Sequence, residues 1–155
     1  MSFIKSKHSG LIVPRPNFSI HKVQLSWAKC EIRLDEAFQV TYPGMEDYAA
    51  GTKMTTFSLG YADPGSVKLT DRHGDNRYND SFISIATAGP IKISSTTKYT
   101  HLPKKGPFSN PPTQESVDTI SLWTNLEYKI STDGDKLTNA WIHAIKLCGG
   151  KTAGF

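Results

Sequence analysis

The chain has 155 residues, a formal charge of +4, and 37% hydrophobic and 21% charged side chains. That composition fits one folded domain with a core of its own and excludes a disordered chain. No stretch approaches the roughly 18 apolar residues of a helical membrane span, and the mild positive charge admits a polyanionic partner without requiring one.

The opening "MSFIKSKHSG" lacks the apolar centre of a secretory signal, which sets the expectation of a chain working in a cytoplasm. Residues 1–35 read as an extension followed by a hairpin or bulged strand pair. In "FSIHKVQLSW" Val23, Leu25 and Trp27 share one phase, and in "AKCEIRL" Cys30, Ile32 and Leu34 share another. "TYPGMEDYAAG" is turn-rich. "KMTTFSLGY" alternates, with Phe57, Leu59 and Tyr61 opposed to Thr56 and Ser58, until "ADPG" supplies turn chemistry. Val67 to Thr70 is short and strand-like, "DRHGDNRYND" is a polar turn, and "SFISIATA" sets Ile83 and Ile85 against Phe82, Ser84 and Ala86. "IKISSTTKYTHL" is β-branched, but its period leaves open which face of 91–102 points inward. "PKKGPFSNPPTQE" is a Pro-rich exposed loop. The expected main sheet therefore spans 52–131, with long loops at 62–80 and 103–118.

The sharpest pattern comes next. Ile120, Leu122, Leu126, Tyr128 and Ile130 fall on one face of a strand, and Ser121, Trp123, Asn125, Glu127 and Lys129 on the other. "STDGD" then offers capping oxygens and acidic residues for a helix start. Leu137, Ala140, Trp141, Ala144, Ile145 and Cys148 form one apolar stripe, closed by Gly149-Gly150, which predicts a helix over 133–148. Such a helix spans about 20 Å and cannot cover a broad sheet alone, so a dimer with each helix over its partner's sheet is expected.

Few chemistries survive inspection. The histidines at 8, 21, 73, 101 and 143 show no metal-ligand spacing. "DRHGDNRYND" fails the calcium-loop pattern, and "CGGKT" lacks the upstream glycine and the following helix of a phosphate loop. No GxSxG nucleophile turn is present, and Glu31, Asp35 and Glu127 give no carboxylate pair of predictable separation. Neither an enzyme, nor a cofactor, nor a small-molecule substrate is expected. Cys30 and Cys148 are far apart and in no CxxC pattern; they pair only if the fold brings them together, and buried reduced thiols are the expectation. The Trp123-x-Asn125-x-Glu127-x-Lys129 face has the make-up of a nucleobase platform: an aromatic to stack, an amide and carboxylate for base or sugar edges, a lysine for phosphate.

A strand with aromatic-x-Asn-x-Glu, a short polar turn and a terminal amphipathic helix resembles the coat proteins of single-stranded RNA bacteriophages, the levivirus group. "MTTFSLGY" looks like that family's strand with a Thr-x-Ser pair, here Thr56 and Ser58, and "SFISIATAGP" like the next strand, which turns Ser84 toward the RNA. The family often has Thr and Lys on that strand; here the basic residue is missing. The resemblance covers residues 52–148 and is motif-like over 120–148. It implies an α+β fold, an antiparallel sheet with an N-terminal hairpin and a C-terminal helix packed across an intertwined homodimer. Leu122, Leu126, Tyr128, Leu137, Trp141 and Ile145 would form the dimer interface. Dimers would close into an icosahedral virion shell in the host cytoplasm. A genomic RNA hairpin would sit on Thr56, Ser58, Ser84, Trp123, Asn125, Glu127 and Lys129, for packaging and translational repression. Two alternatives stand beside it: a viral matrix protein meeting anionic membranes through Lys5, Lys7, Lys104 and Lys105, and a lectin-like module holding a sugar on Trp123, Asn125 and Glu127.

Overall fold

The computed structural model describes residues 2–10, 13–15, 18–41, 47–72, 80–106, 109–124, 126 and 132–152. The chain runs α1 (Ser2–His8), β1 (Val13–Arg15), β2 (Phe18–Ala28), β3 (Glu31–Thr41), β4 (Tyr48–Ser58), two short 3-10 turns at Leu59–Tyr61 and Pro64–Ser66, β5 (Lys68–Asp71), β6 (Ser81–Ala86), β7 (Ile93–His101), β8 (Gln114–Val117), β9 (Thr119–Thr124) and α2 (Thr132–Leu147). It is an α+β fold with two antiparallel sheets: six strands in the order β1-β2-β3-β4-β7-β8, and three in the order β5-β6-β9.

The expected N-terminal hairpin is β2–β3, bulged between Ile20 and Lys22. It turns at Lys29, whose φ of 55° is left-handed and whose carbonyl accepts from Trp27 Nε1 at 2.6 Å. Val23, Leu25, Ile32 and Leu34 are buried, as their alternation predicts. β4 starts earlier than expected and stops at Ser58, where the chain coils through Leu59–Tyr61. At "ADPG" the carboxylate of Asp63 accepts from Gly65 N at 2.7 Å, a side-chain-closed turn. The short strand read at Val67 to Thr70 is β5, inside the segment 62–80, while the segment 103–118, expected as a loop, contains β8. On β7, Ile93, Ser95 and Thr97 are buried, which settles the inward face of that strand.

The expected single sheet is corrected. After β4 the chain leaves the large sheet to make β5 and β6, returns to pair β7 with β4, and lays β9 against β6. α1 is also a correction, since nothing in its seven residues announces a helix. It buries Ile4 and His8 against α2, β2 and β9.

α2 fulfils the reading of its stripe. Asp133 and Asp135 lie in its first turn. Its end closes with Gly149 at φ 79°, a conformation glycine adopts without penalty, while Gly150 N reaches back to Ile145 O at 3.0 Å. One core cluster joins α1, both sheets and α2. The residues expected to meet a partner are spent in it: Leu122, Leu137, Trp141 and Ile145 are 0% exposed and Leu126 is 5% exposed in the single chain. Within the single chain the second sheet and α1 pack over these residues. Tyr128, expected beside them, lies outside the described residues.

The expectation of reduced cysteines is overturned as well. Cys30 in the β2–β3 turn and Cys148 just past α2 form a disulfide across 118 residues, with Cα atoms 5.6 Å apart. The 3-10 turn brings them together, because Leu59 N donates to Cys30 O and Gly60 sits against Cys148 O.

Candidate ligand-binding cleft

The four described residues of the predicted RNA face, Thr56, Ser58, Ser84 and Trp123, do not assemble on one surface. Thr56 is exposed on the outer face of the large sheet, with Arg33 and Ser94 as its cross-strand neighbours, and Ser58 ends the same strand opposite Glu31. Trp123 and Ser84 share a face of the small sheet, where Trp123 pairs with Phe82 and Ser84 with Ser121. The two pairs are separated because β4 and β9 belong to different sheets. Asn125, Glu127 and Lys129 lie outside the described residues. The Trp123 ring is engaged by its own chain. It meets Phe82 edge-on at 5.2 Å, and the Arg72 guanidinium stands 5.6 Å from it and 4.9 Å from Phe82, itself bonded to Asp80 at 2.7 and 2.9 Å.

The outer face that carries Thr56 has a shallow depression lined by Arg33, Asp35, Thr52, Met54, Thr96 and Lys98. Arg33 is bonded there to both oxygens of Asp35, at 2.8 and 2.9 Å. A guanidinium so held has little left for a phosphate, and no aromatic ring lines the depression.

A larger opening lies on the other side, between the inner face of the large sheet and β9, with a volume of about 400 Å³. Period two aims its lining inward. β3 supplies Leu34, Glu36, Phe38 and Val40; β4 supplies Lys53 and Thr55; β7 supplies Ser95, Thr97 and Tyr99; β8 supplies Glu115 and Val117. The far lip is Thr119 to Ser121 with Trp123. Phe38 and Tyr99 pack edge to face at 6.0 Å, while Thr55, Ser95 and Thr97 place buried hydroxyl-bearing residues on the floor.

Three charges define the electrostatics. Lys53 lies directly across from Glu36 in the β3–β4 register, yet its ammonium donates to Glu115 Oε2 at 3.0 Å. Glu36 makes no hydrogen bond or ion pair with any described residue. Burial pushes its carboxyl up to about 7, against the opposing pull of Lys53. A carboxyl so placed is close to half protonated at neutral pH and can donate as well as accept.

Glu36, Lys53 and Glu115 were not singled out in the sequence. The signal was present for one of them: in "LDEAFQV" Glu36 shares a phase with Leu34, Phe38 and Val40, a charge in an inward row. Glu115 carried none, since it sits in four exposed residues after a Pro-rich loop. Among the described residues no group of three or more His, Cys, Asp or Glu side chains is arranged to hold a metal ion. No family model, no curated protein and no solved structure matches the chain.

Proposed function

We propose that the chain is a binding protein whose inter-sheet cleft takes a small polyhydroxylated ligand, a saccharide unit being the class that fits. The lining carries this reading. A sugar presents apolar ring faces and a rim of hydroxyls; the cleft offers Phe38 and Tyr99 for the first, with Trp123 at its lip held by Phe82 and Arg72, and Glu36, Lys53, Glu115, Thr55 and Thr97 for the second. Its volume falls in the range of small-ligand sites. This departs from the expected RNA platform and is nearer the lectin-like alternative, with Trp123 retained. The disulfide supports a working place outside a reducing cytosol.

The test is a glycan array followed by titration of any hit into the protein, monitored by amide chemical shifts. Saturable shifts confined to β3, β4, β7 and β9 support the reading, and loss of them in Thr97→Val ties them to the cleft. An array without hits sinks it. Release of a new reducing end would move the protein to a hydrolase, since two carboxylates face the cleft.

A second reading, the coat protein, is favoured by one observation. β8 is the edge of the large sheet and all four of its residues are exposed, so a second copy can pair there and continue the sheet across a dimer. In that arrangement the outer face with Thr56, Ser94 and Lys98 would line the shell. Negative-stain microscopy of the purified protein, with absorbance at 260 and 280 nm, separates the two. Closed nucleic-acid-rich particles support the coat; a small RNA-free species removes it. Flotation with phosphatidylserine vesicles would favour the matrix alternative, whose Lys5, Lys104 and Lys105 are exposed while Lys7 is bonded to Asp133 at 3.3 Å.

A further inference from the structure

We propose that Glu36 is the seat of a cationic amine, so that the cleft prefers an amino sugar to a neutral one; this rests on the saccharide reading above. The argument starts from an ion pair that is not made. Lys53 is the cross-strand neighbour of Glu36, the position from which a lysine ordinarily neutralises a glutamate. Its ammonium is taken by Glu115 from β8 instead. A half-buried carboxyl with no partner among the described residues is partly stripped of water and open to a ligand that enters the cleft.

The surroundings decide what completes it. The groups lining the cleft around Glu36 are Lys53 and Thr55 on β4, Ser95, Thr97 and Tyr99 on β7, Glu115 on β8, and Thr119, Ser121 and Trp123 on β9. On β2 its neighbour is Val23. Lys53 and Glu115 cancel, so the charge of Glu36 sets the sign of the cleft. Phe38, two residues along the same inward row, offers a ring to the alkyl or ammonium side of a cation. An anion would meet two carboxylates and one lysine already engaged.

Proton linkage follows. Because burial holds Glu36 partly protonated at neutral pH, a cation must displace that proton below about pH 7 and need not do so above it. Affinity for a permanent cation therefore climbs by up to about tenfold per pH unit below 7 and levels off above.

Glucosamine, glucose and choline are titrated into the intact oxidised protein at pH 6 and pH 8, with binding read from amide shifts and calorimetry. The expected result is glucosamine several-fold tighter than glucose in a further titration at pH 7, where its amine is still largely protonated, and choline roughly tenfold weaker at pH 6 than at pH 8. Glu36→Gln should erase both the amine preference and the pH dependence of choline. Lys53→Met removes the positive charge that opposes the raised Glu36 carboxyl and releases Glu115, so it should move the rise of choline affinity to higher pH and strengthen binding above that rise. Equal affinity for glucosamine and glucose overturns the amine seat and leaves the saccharide reading standing. Choline binding without either sugar overturns the saccharide reading and keeps the seat. Binding of none of the three overturns both.

Discussion

His8 and Glu36 are two titratable groups taken out of water by the same fold, and they end in opposite conditions. His8, on α1, has a partner for each ring nitrogen: Nδ1 lies 2.6 Å from Trp123 O, and Nε2 lies 3.0 Å from Trp141 Nε1. Those partners fix its tautomer, because a carbonyl can only accept and an indole N–H can only donate. Trp141 is in turn stacked on Trp27 at 5.6 Å. Glu36 lines the cleft, faces an opening and has no hydrogen-bond or ion-pair partner among the described residues. One region has used its polar groups to lock a helix, a sheet and a second helix together; the other has one to spare. A half-buried charged group that opens onto a cleft is the better pointer to a ligand.

The disulfide strengthens the locked region, and breaking it should give the largest effect. It joins the turn beside Trp27 to the end of the helix that carries Trp141, closing a loop of 118 residues. The chain-entropy model assigns a loop of that length about 4 kcal/mol or more. Reduction, or Cys30→Ala with Cys148→Ala, should lower the unfolding free energy read from urea titration by that amount. A shift below about 1 kcal/mol would show that packing alone fixes α2.

Acid should come next, through His8. Burial depresses its pKa to about 4, from an ordinary value of 6.5, with the Trp123 bond opposing. The unfolded chain therefore binds a proton that the folded chain refuses. Stability contributed by neutral His8 is fully present above pH 6.5 and is lost as pH falls toward 4, a span of about 3 kcal/mol. Urea unfolding at pH 7 and pH 4.5 reads it. His8→Met should flatten this dependence, and an unchanged slope would mean that the ring is not held neutral between Trp123 and Trp141.

The two regions also differ in how far the sequence announces them. Ile120, Leu122 and the α2 stripe are legible because each obeys one period over several residues and ends at a recognisable cap. α1 is not, since seven residues with two apolar side chains, Phe3 and Ile4, lie below any periodic signal and are held by long-range contacts. Pairing of β9 with β6 was invisible for the same reason: alternation tells which face a residue takes, not which strand lies beside it. Thr56 and Trp123 were thus assigned to one surface and lie on two. The disulfide joins positions whose proximity depends on the 3-10 turn at Leu59–Tyr61. Glu36 was overlooked because a charge in a strand is ordinarily an outward residue, and only the inward row of Leu34, Phe38 and Val40 marks it as different.

The smallest expected effect tests the cleft by itself, without any ligand. Glu36 is the mirror of His8: its folded pKa is raised from 4.5 to about 7, so the folded protein holds a proton that the unfolded chain gives up. Its contribution is therefore most favourable below pH 4.5 and declines as pH rises through 7, after which the fold carries an uncompensated carboxylate. Glu36→Gln keeps the shape and removes the charge. It should be nearly neutral at pH 5 and stabilise the protein by about 1–2 kcal/mol at pH 8, as relief of a half-buried charge predicts. A gain that grows with pH locates the cost in the carboxylate itself and leaves the carboxyl as a feature kept for something other than stability. A loss at pH 8 would mean that Glu36 is already paired, and the contrast with His8 would fall.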